Sequence, residues 1–211
     1  MGELRDYVRW HDDYEQPGSH LHARLQVVIR MIRRALDELP AGEIRVLSLC
    51  AGQGADILGA ADGHPRAGDL TGRLVELESH NVEQARNRIR ELGLSLEAVA
   101  GDASRSDAYV GAIPGDLVLA CGIFGNISDA DIETTIRFLP SLCAPGAWVI
   151  WTRHPRDADL FQRLQAWLVE SDLEAVELEV SDEQAWGVGA NRLVGEPPPF
   201  APGQQLFTFT R

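Results

Sequence analysis

The chain has 211 residues, the size of one ordinary domain, with 45% apolar and 24% charged side chains, the balance of a soluble globular protein. Its 32 acidic and 19 basic side chains, every one of the latter Arg, give a net charge of −13, which repels a polyphosphate backbone and argues against nucleic acid as a partner. No stretch reaches the roughly 18 apolar residues of a membrane span, and Cys50, Cys121 and Cys143 show no C-x-x-C spacing, which argues against a zinc site or disulfide framework and predicts a reducing, cytoplasmic setting.

The first 16 residues, MGELRDYVRWHDDYEQ, are acidic and polar and lack the apolar core of a secretory signal. After Pro17-Gly18, Ser19 precedes Leu21, Leu25, Val28, Ile32, Leu36 and Leu39, whose steps of three and four form one apolar helical stripe. Arg30, Arg33 and Arg34 lie along the same helix and are offset by Asp37 and Glu38. Residues 1–43 read as a helical flap packed on a main domain of residues 44–211. From residue 44 onward, continuous apolar runs at 44–49, 73–77, 96–100, 116–121 and 148–151 suit strands buried on both faces. Between them, helical patterns cover 56–61, 81–92, 129–142 and 159–170. This alternation predicts an α/β fold, a doubly wound, mostly parallel sheet with helices on both faces.

Local signals mark the boundaries. Ser79 or Asn81 caps the helix that Gly93 follows, and Ser128 caps the next, with Asp131 completing a capping box. Pro145-Gly146 reads as a turn before the fifth strand. Residues 175–180 and 205–210 alternate in strand fashion, on either side of a proline-rich connector at 195–203. Either 186–194 or 205–210 is expected to supply the last strand of the sheet.

The most informative stretch is Val46-Leu-Ser-Leu-Cys-Ala-Gly-Gln-Gly-Ala-Asp56, a buried strand running into a glycine turn and then a helix. Gly52 and Gly54 permit positive φ and close approach of a ligand to the backbone. The helix start favours an electron-rich group. Glu76 follows Gly54 by 22 positions, the distance at which nucleoside-binding sheets place a carboxylate that accepts from both ribose hydroxyls. Glu78 is the alternative for that role. Ile57 stands at the third position of a dinucleotide G-x-G-x-x-G fingerprint, which favours a ligand without a pyrophosphate.

Taken together, these segments resemble the class I S-adenosylmethionine-dependent methyltransferase family across residues 44–151. VLSLCAGQGAD is similar to its first motif, acidic-x-Gly-x-Gly-x-Gly, and Glu76 falls where the family keeps its ribose carboxylate. Gly101-Asp102-Ala103 resembles the motif whose acidic side chain meets the adenine amine. Gly115-Asp-Leu-Val-Leu-Ala-Cys121 and Cys143-Ala-Pro-Gly-Ala-Trp-Val-Ile150 resemble the two segments that follow. Ser48 departs from the pattern in place of an acidic residue, and Cys50 in place of the first glycine. In the family the lost carboxylate helps hold the methionine ammonium; Asp56 or Tyr14 would substitute.

The resemblance implies a seven-stranded Rossmann-like sheet with an antiparallel last strand, as in small bacterial methyltransferases. It implies S-adenosylmethionine as cofactor, S-adenosylhomocysteine as product, and in-line methyl transfer to a small-molecule acceptor, by a monomer or homodimer. Cofactor contacts are implied for Tyr14, Cys50, Ala51, Gly52, Gln53, Gly54, Asp56, Glu76, Leu77, Gly101, Asp102, Ala103, Cys121 and Gly122. No metal site is expected. His154 and Asn126, just after the fifth and fourth strands, are the catalytic candidates. His11 reads as a lid or surface residue, and His20 and His22 as residues of a helix start. Trp10, Tyr14, Phe124 and Trp186 are either core aromatics or the wall of an acceptor pocket. The sequence also admits two alternatives: a non-catalytic S-adenosylmethionine-binding sensor or partner subunit, and an NAD(P)-dependent oxidoreductase. Ile57 and the lack of any Lys for a Tyr-x-x-x-Lys pair weigh against the latter.

Overall fold

A computed structural model of the protein describes residues 19–183 and 185–210. Helix α1 spans His20–Glu38, and the Ser19 hydroxyl caps it by accepting the His22 N–H at 3.0 Å. The apolar stripe is buried at Leu21, Val28, Ile32 and Leu36. Its last carbonyls are satisfied from afar: the Arg66 guanidinium donates to the carbonyl oxygens of Leu36, Leu39, Pro40 and Gly42 at 2.7–3.0 Å.

The chain then alternates. Strand β1 (Ile44–Leu49) leads to α2 (Ala55–Ala61), β2 (Leu70–Glu76) to α3 (Ser79–Glu91), and β3 (Ser95–Ala100) to β4 (Gly115–Ala120) through a short turn of 3-10 helix. Helix α4 (Asp129–Phe138), β5 (Cys143–Arg153), α5 (Ala158–Glu170), β6 (Leu173–Ser181) and β7 (Trp186–Leu193) follow. The seven strands lie in the order β3-β2-β1-β4-β5-β7-β6. β1 to β5 are mutually parallel, and β7 runs antiparallel between β5 and β6. The last strand is therefore 186–193, not 205–210. Among the described residues, the latter segment forms the isolated bridges Arg105↔Gln205 and Ile127↔Phe209, outside the sheet.

Alternate side chains of each strand feed two cores. Ile44, Val46, Leu74, Leu119 and Ile150 pack with α1, α2 and α3 on one face. Leu47, Leu49, Val75, Val118, Val149 and Trp151 pack with α4, α5 and the C-terminal Leu206 and Phe207 on the other. Each fully buried Leu, Ile or Phe contributes about 1.5–3 kcal/mol. Helix α1 shares the first core with the sheet. Among the described residues no helix is long and apolar enough to cross a membrane.

Four local expectations need correction. The residue flanking α3 is Glu78, with no side-chain cap, and Asn81 is instead buried, its Oδ1 accepting from Gln53 Nε2 at 3.4 Å. The Ser128 hydroxyl does accept the Asp131 N–H, at 3.2 Å. The Asp131 carboxylate, however, accepts the Thr208 N–H at 3.1 Å, a donor from the chain's end. The 129–142 pattern divides at Phe138, with 139–142 tightening into a 3-10 turn around Pro140. Pro145 and Gly146 lie inside β5, where Gly146 takes φ +77° beside a register shift against β4.

Candidate active site

The strand order reverses at β1 and β4, and Leu49, Glu76, Ala100, Ala120 and Arg153 end the five parallel strands on one edge. Ligands of open α/β sheets bind outside that edge, at the reversal. The turn from β1 to α2 lies there. Cys50, Gly52 and Gly54 take φ of +52°, +56° and +72°. Positive φ favours glycine at Gly54, and packing adds a second reason: a Cβ there would sit 2.8 Å from Leu74 Cδ2. The Ala51 N–H donates to the Val75 carbonyl at 2.9 Å, tying the turn to β2.

The Glu76 carboxylate, 9% exposed, closes this turn. Its Oε2 accepts the Gly52 N–H at 2.8 Å and its Oε1 accepts the Glu78 N–H at 2.9 Å. The two bonds fix the carboxylate against the glycine turn. Glu78, the rival acidic residue, is exposed and flanks α3. Leu77, between them, is 66% exposed. The Gln53 side chain reaches α3 at Asn81.

The next loop holds Gly101, Asp102 and Ala103. The Gly101 N–H donates to the Glu76 carbonyl at 2.9 Å. Asp102 Oδ1 accepts from both the N–H and the hydroxyl of Ser104, at 2.9 and 2.6 Å. The buried Tyr109 hydroxyl donates to the Ala103 carbonyl at 2.7 Å. Ser104 and Tyr109 are supports that the sequence reading missed; the Asp-x-Ser spacing is the local signal for the former.

At the end of β4, the Cys121 thiol donates to the Ile150 carbonyl at 3.9 Å and feels the charge of the Asp56 carboxylate. Burial pushes the Asp56 carboxyl up, opposed by the Ile57 N–H donor at 2.7 Å and by the charge of Arg24 on α1. Burial also raises the Cys121 thiol, reinforced by Asp56 and opposed by Arg24. Cys50 is pushed up by burial and then by the charges of Glu76 and Asp102. Gly122 takes φ +80°, its N–H donates to the Thr152 hydroxyl at 2.8 Å, and a Cβ on it would meet nothing within 4 Å. The space over this residue is open. Thr152, on β5, was missed because its partner lies in the loop after β4, 30 positions away.

The two catalytic candidates lie in the loops that follow β4 and β5 at this edge. The Asn126 side-chain amide donates to the Gly122 carbonyl at 2.8 Å, and the Asn126 backbone carbonyl accepts the Thr210 N–H at 2.9 Å. His154 follows β5, and a Cβ built on Gly125 would lie 3.8 Å from its ring Cδ2. The Arg153 guanidinium donates to the Phe124 carbonyl, binding the two loops together. Phe124 and Trp186 are core residues rather than pocket walls: Phe124 is fully buried against Trp151, and Trp186 packs in the α1-side core. His20 and His22 occupy the first turn of α1. Trp10, His11 and Tyr14 lie outside the described residues.

No family model and no curated protein matches the sequence. Solved structures do. The magnesium protoporphyrin IX methyltransferase of Synechocystis with bound S-adenosylmethionine superimposes with a TM-score of 0.68 at 14% identity, over 89% of this chain and 91% of that one. Aeropyrum pernix fibrillarin with natively bound S-adenosylmethionine gives 0.60 at 15% identity, over 79% and 74%. An O-methyltransferase family 2 protein of Planctomyces limnophilus in complex with apigenin gives 0.57 at 14% identity, over 79% and 60%. The strand order, the antiparallel β7 and these superpositions agree: the chain has the fold of the class I S-adenosylmethionine-dependent methyltransferases.

Proposed function

We propose that the chain is an S-adenosylmethionine-dependent methyltransferase that transfers the methyl group to a small-molecule acceptor by in-line displacement. The observation that carries this reading is the Glu76 carboxylate, held at the end of β2 against the positive-φ turn at Gly52 and Gly54. Each of its oxygens takes one backbone donor and keeps further acceptor capacity, which suits the two hydroxyls of a ribose. The exposed Leu77 offers an apolar ledge for a base, and Asp102 an acceptor for an exocyclic amine. Asp56 stands in for the family carboxylate replaced by Ser48: its buried carboxyl gains from any cation placed beside it. Cys50, Ala51, Gln53, Gly101, Ala103, Cys121 and Gly122 line the same edge and complete the cofactor contacts.

When bound, S-adenosylmethionine supplies a methyl group on a sulfonium sulfur, already a good leaving group. The chain's work is then to align the acceptor atom, exclude water and accept a proton. Alignment and desolvation are worth about 7–11 kcal/mol of barrier in well-oriented systems. His154, beside the Asn126 loop, is the general base in this reading, a role worth roughly 10²–10⁴-fold. The net charge of −13 favours a neutral or cationic small acceptor over a polyanion.

Titration calorimetry with S-adenosylhomocysteine tests the site. Wild-type protein is expected to bind in the micromolar range, and Glu76→Gln, which keeps the shape, to lose about 1–3 kcal/mol. Absence of heat at millimolar ligand overturns the reading. Transfer of a labelled methyl group into a metabolite extract then identifies the acceptor, and its absence across varied extracts leaves a binding protein without catalysis.

A further inference from the structure

We infer that Gln205, in the C-terminal segment, is a positioning residue for the cofactor's adenine, acting through Ser104 on the Asp102 carboxylate. The inference rests on the reading of Asp102 as partner of the exocyclic amine proposed above. Asp102 is exposed, and an exposed carboxylate on a loop samples several rotamers unless something holds it. Two bonds hold it here, both on Oδ1 and both from Ser104. Oδ2 takes no hydrogen bond from any described residue and is left for a ligand.

The hydroxyl bond has a direction only if the Ser104 proton is committed to Asp102. Gln205 supplies that commitment. Its Nε2 donates one hydrogen to Ser104 Oγ at 2.6 Å and the other to the Phe207 carbonyl at 2.6 Å. Its Oε1 accepts from the Arg105 guanidinium at 3.2 Å. A flipped amide would set its NH₂ against that guanidinium, donor against donor, so the orientation is fixed by chemistry. With an N–H donor already on its oxygen, the Ser104 hydroxyl turns its one proton to Asp102 Oδ1.

The backbone around Gln205 is pinned on both sides. The Ser106 N–H donates to the Gln204 carbonyl at 3.0 Å, the Gln204 N–H to the Ser106 hydroxyl at 2.9 Å, and the Leu206 N–H to the Ser104 carbonyl at 2.7 Å. Beyond it, Leu206 and Phe207 are 1% exposed. The segment is thus a fixed platform, and the amide it presents reaches a loop about 100 positions earlier in sequence.

Calorimetry on the full chain tests this with two ligands: S-adenosylhomocysteine and S-inosylhomocysteine, which carries oxygen in place of the 6-amino group. Gln205→Met is expected to weaken the adenosyl ligand by roughly three- to tenfold, the scale of one lost hydrogen bond. It is expected to leave the inosyl ligand unchanged, which a merely structural role would not do. In a Ser104→Ala background, Gln205→Met should add no further loss, because both act on one carboxylate. Equal losses for the two ligands, additive losses with Ser104→Ala, or no loss at all each overturn the inference. If Gln205→Met fails to fold, Gln205→Glu keeps the shape, cannot donate to Ser104, and must show the same ligand discrimination. Wild-type protein that binds neither ligand overturns the reading of the whole site. Wild-type binding with an unchanged Gln205→Met overturns only the role of Gln205.

Discussion

Cys143 is the simplest residue-scale case. Its thiol is buried, donates to the Leu139 carbonyl at 3.3 Å and is pushed up to about 12 by burial. Cys50 and Cys121 are raised as well, by burial first and by neighbouring carboxylates second. The thiolate is the reactive form, so iodoacetamide at about pH 8 is expected to leave all three native cysteines unmodified and to label them in urea, read by intact mass. Asp56 shows the same effect on a stronger acid, one whose burial works against its charged form. Its folded-state pKa lies above the unfolded value, so the folded chain holds that proton more tightly. The group therefore costs stability as pH rises through the window between the two values, and the cost is constant above it. Asp56→Asn keeps an oxygen for the Ile57 N–H and removes the charge. Its stability advantage in urea unfolding is expected to grow from about pH 4 to pH 7; a constant difference would contradict the buried-acid account.

Among the elements, α1 shows what periodicity carries and what it leaves out. Steps of three and four marked its buried face, because a helix repeats within a few residues. Its arginines needed tertiary partners that no spacing encodes. Arg33 donates to the Ala60 and Asp62 carbonyls at 3.1 and 2.8 Å, Arg30 and Arg34 meet Glu177 on β6 at 2.5 and 2.9 Å, and Arg34 also meets Glu38. Burial pushes the Glu177 carboxyl up, but hydrogen bonds from Arg30 and Arg34 outweigh it and hold the group below its usual range. The stabilisation is present above the unfolded carboxylate pKa and lost as pH falls through the folded value. The groups are largely exposed, so Glu177→Gln is expected to cost less than ~1 kcal/mol at neutral pH in chemical unfolding, and nothing in high salt. Strand β7 was ambiguous for a related reason. Gly187 and Gly189 weaken its strand signal, yet a Cβ on Gly189 would sit 2.3 Å from Trp151 Cε2, so the small residue answers a tryptophan 38 positions away. The same division holds in the site. Gly52, Gly54 and Glu76 were legible as strand-end signals, whereas Thr152 and Gln205 earn their place through partners in distant loops.

At the scale of the molecule, a net charge of −13 sets which encounters succeed. Fibrillarin shares the fold, but a polyanion approaching this chain meets long-range repulsion. A labelled RNA oligonucleotide is expected to show no filter retention at about 0.15 M salt, and retention that falls steeply with added salt would contradict this. The remaining question is what joins the two halves of the carboxyl edge, since the Asp102 loop and the Asn126 loop lie on β3 and β4, at separate places in the sheet order. The C-terminal segment touches both: Gln205 and Leu206 bond the first, and Thr210 donates to Asn126 in the second. Its anchor is apolar. Phe207 is 1% exposed in the α4–α5 core, whereas Phe209, edge-on to it at 5.3 Å between ring centres, is 43% exposed. Truncating a buried Phe removes its transfer energy and leaves a cavity, so Phe207→Ala is expected to cost ~3–5 kcal/mol. Phe209→Ala gives up mainly one ring contact and should cost ~0.5–1.5 kcal/mol. Urea unfolding of the two variants orders these values, and equal losses would mean that the segment is held by its backbone bonds rather than by the Phe207 ring.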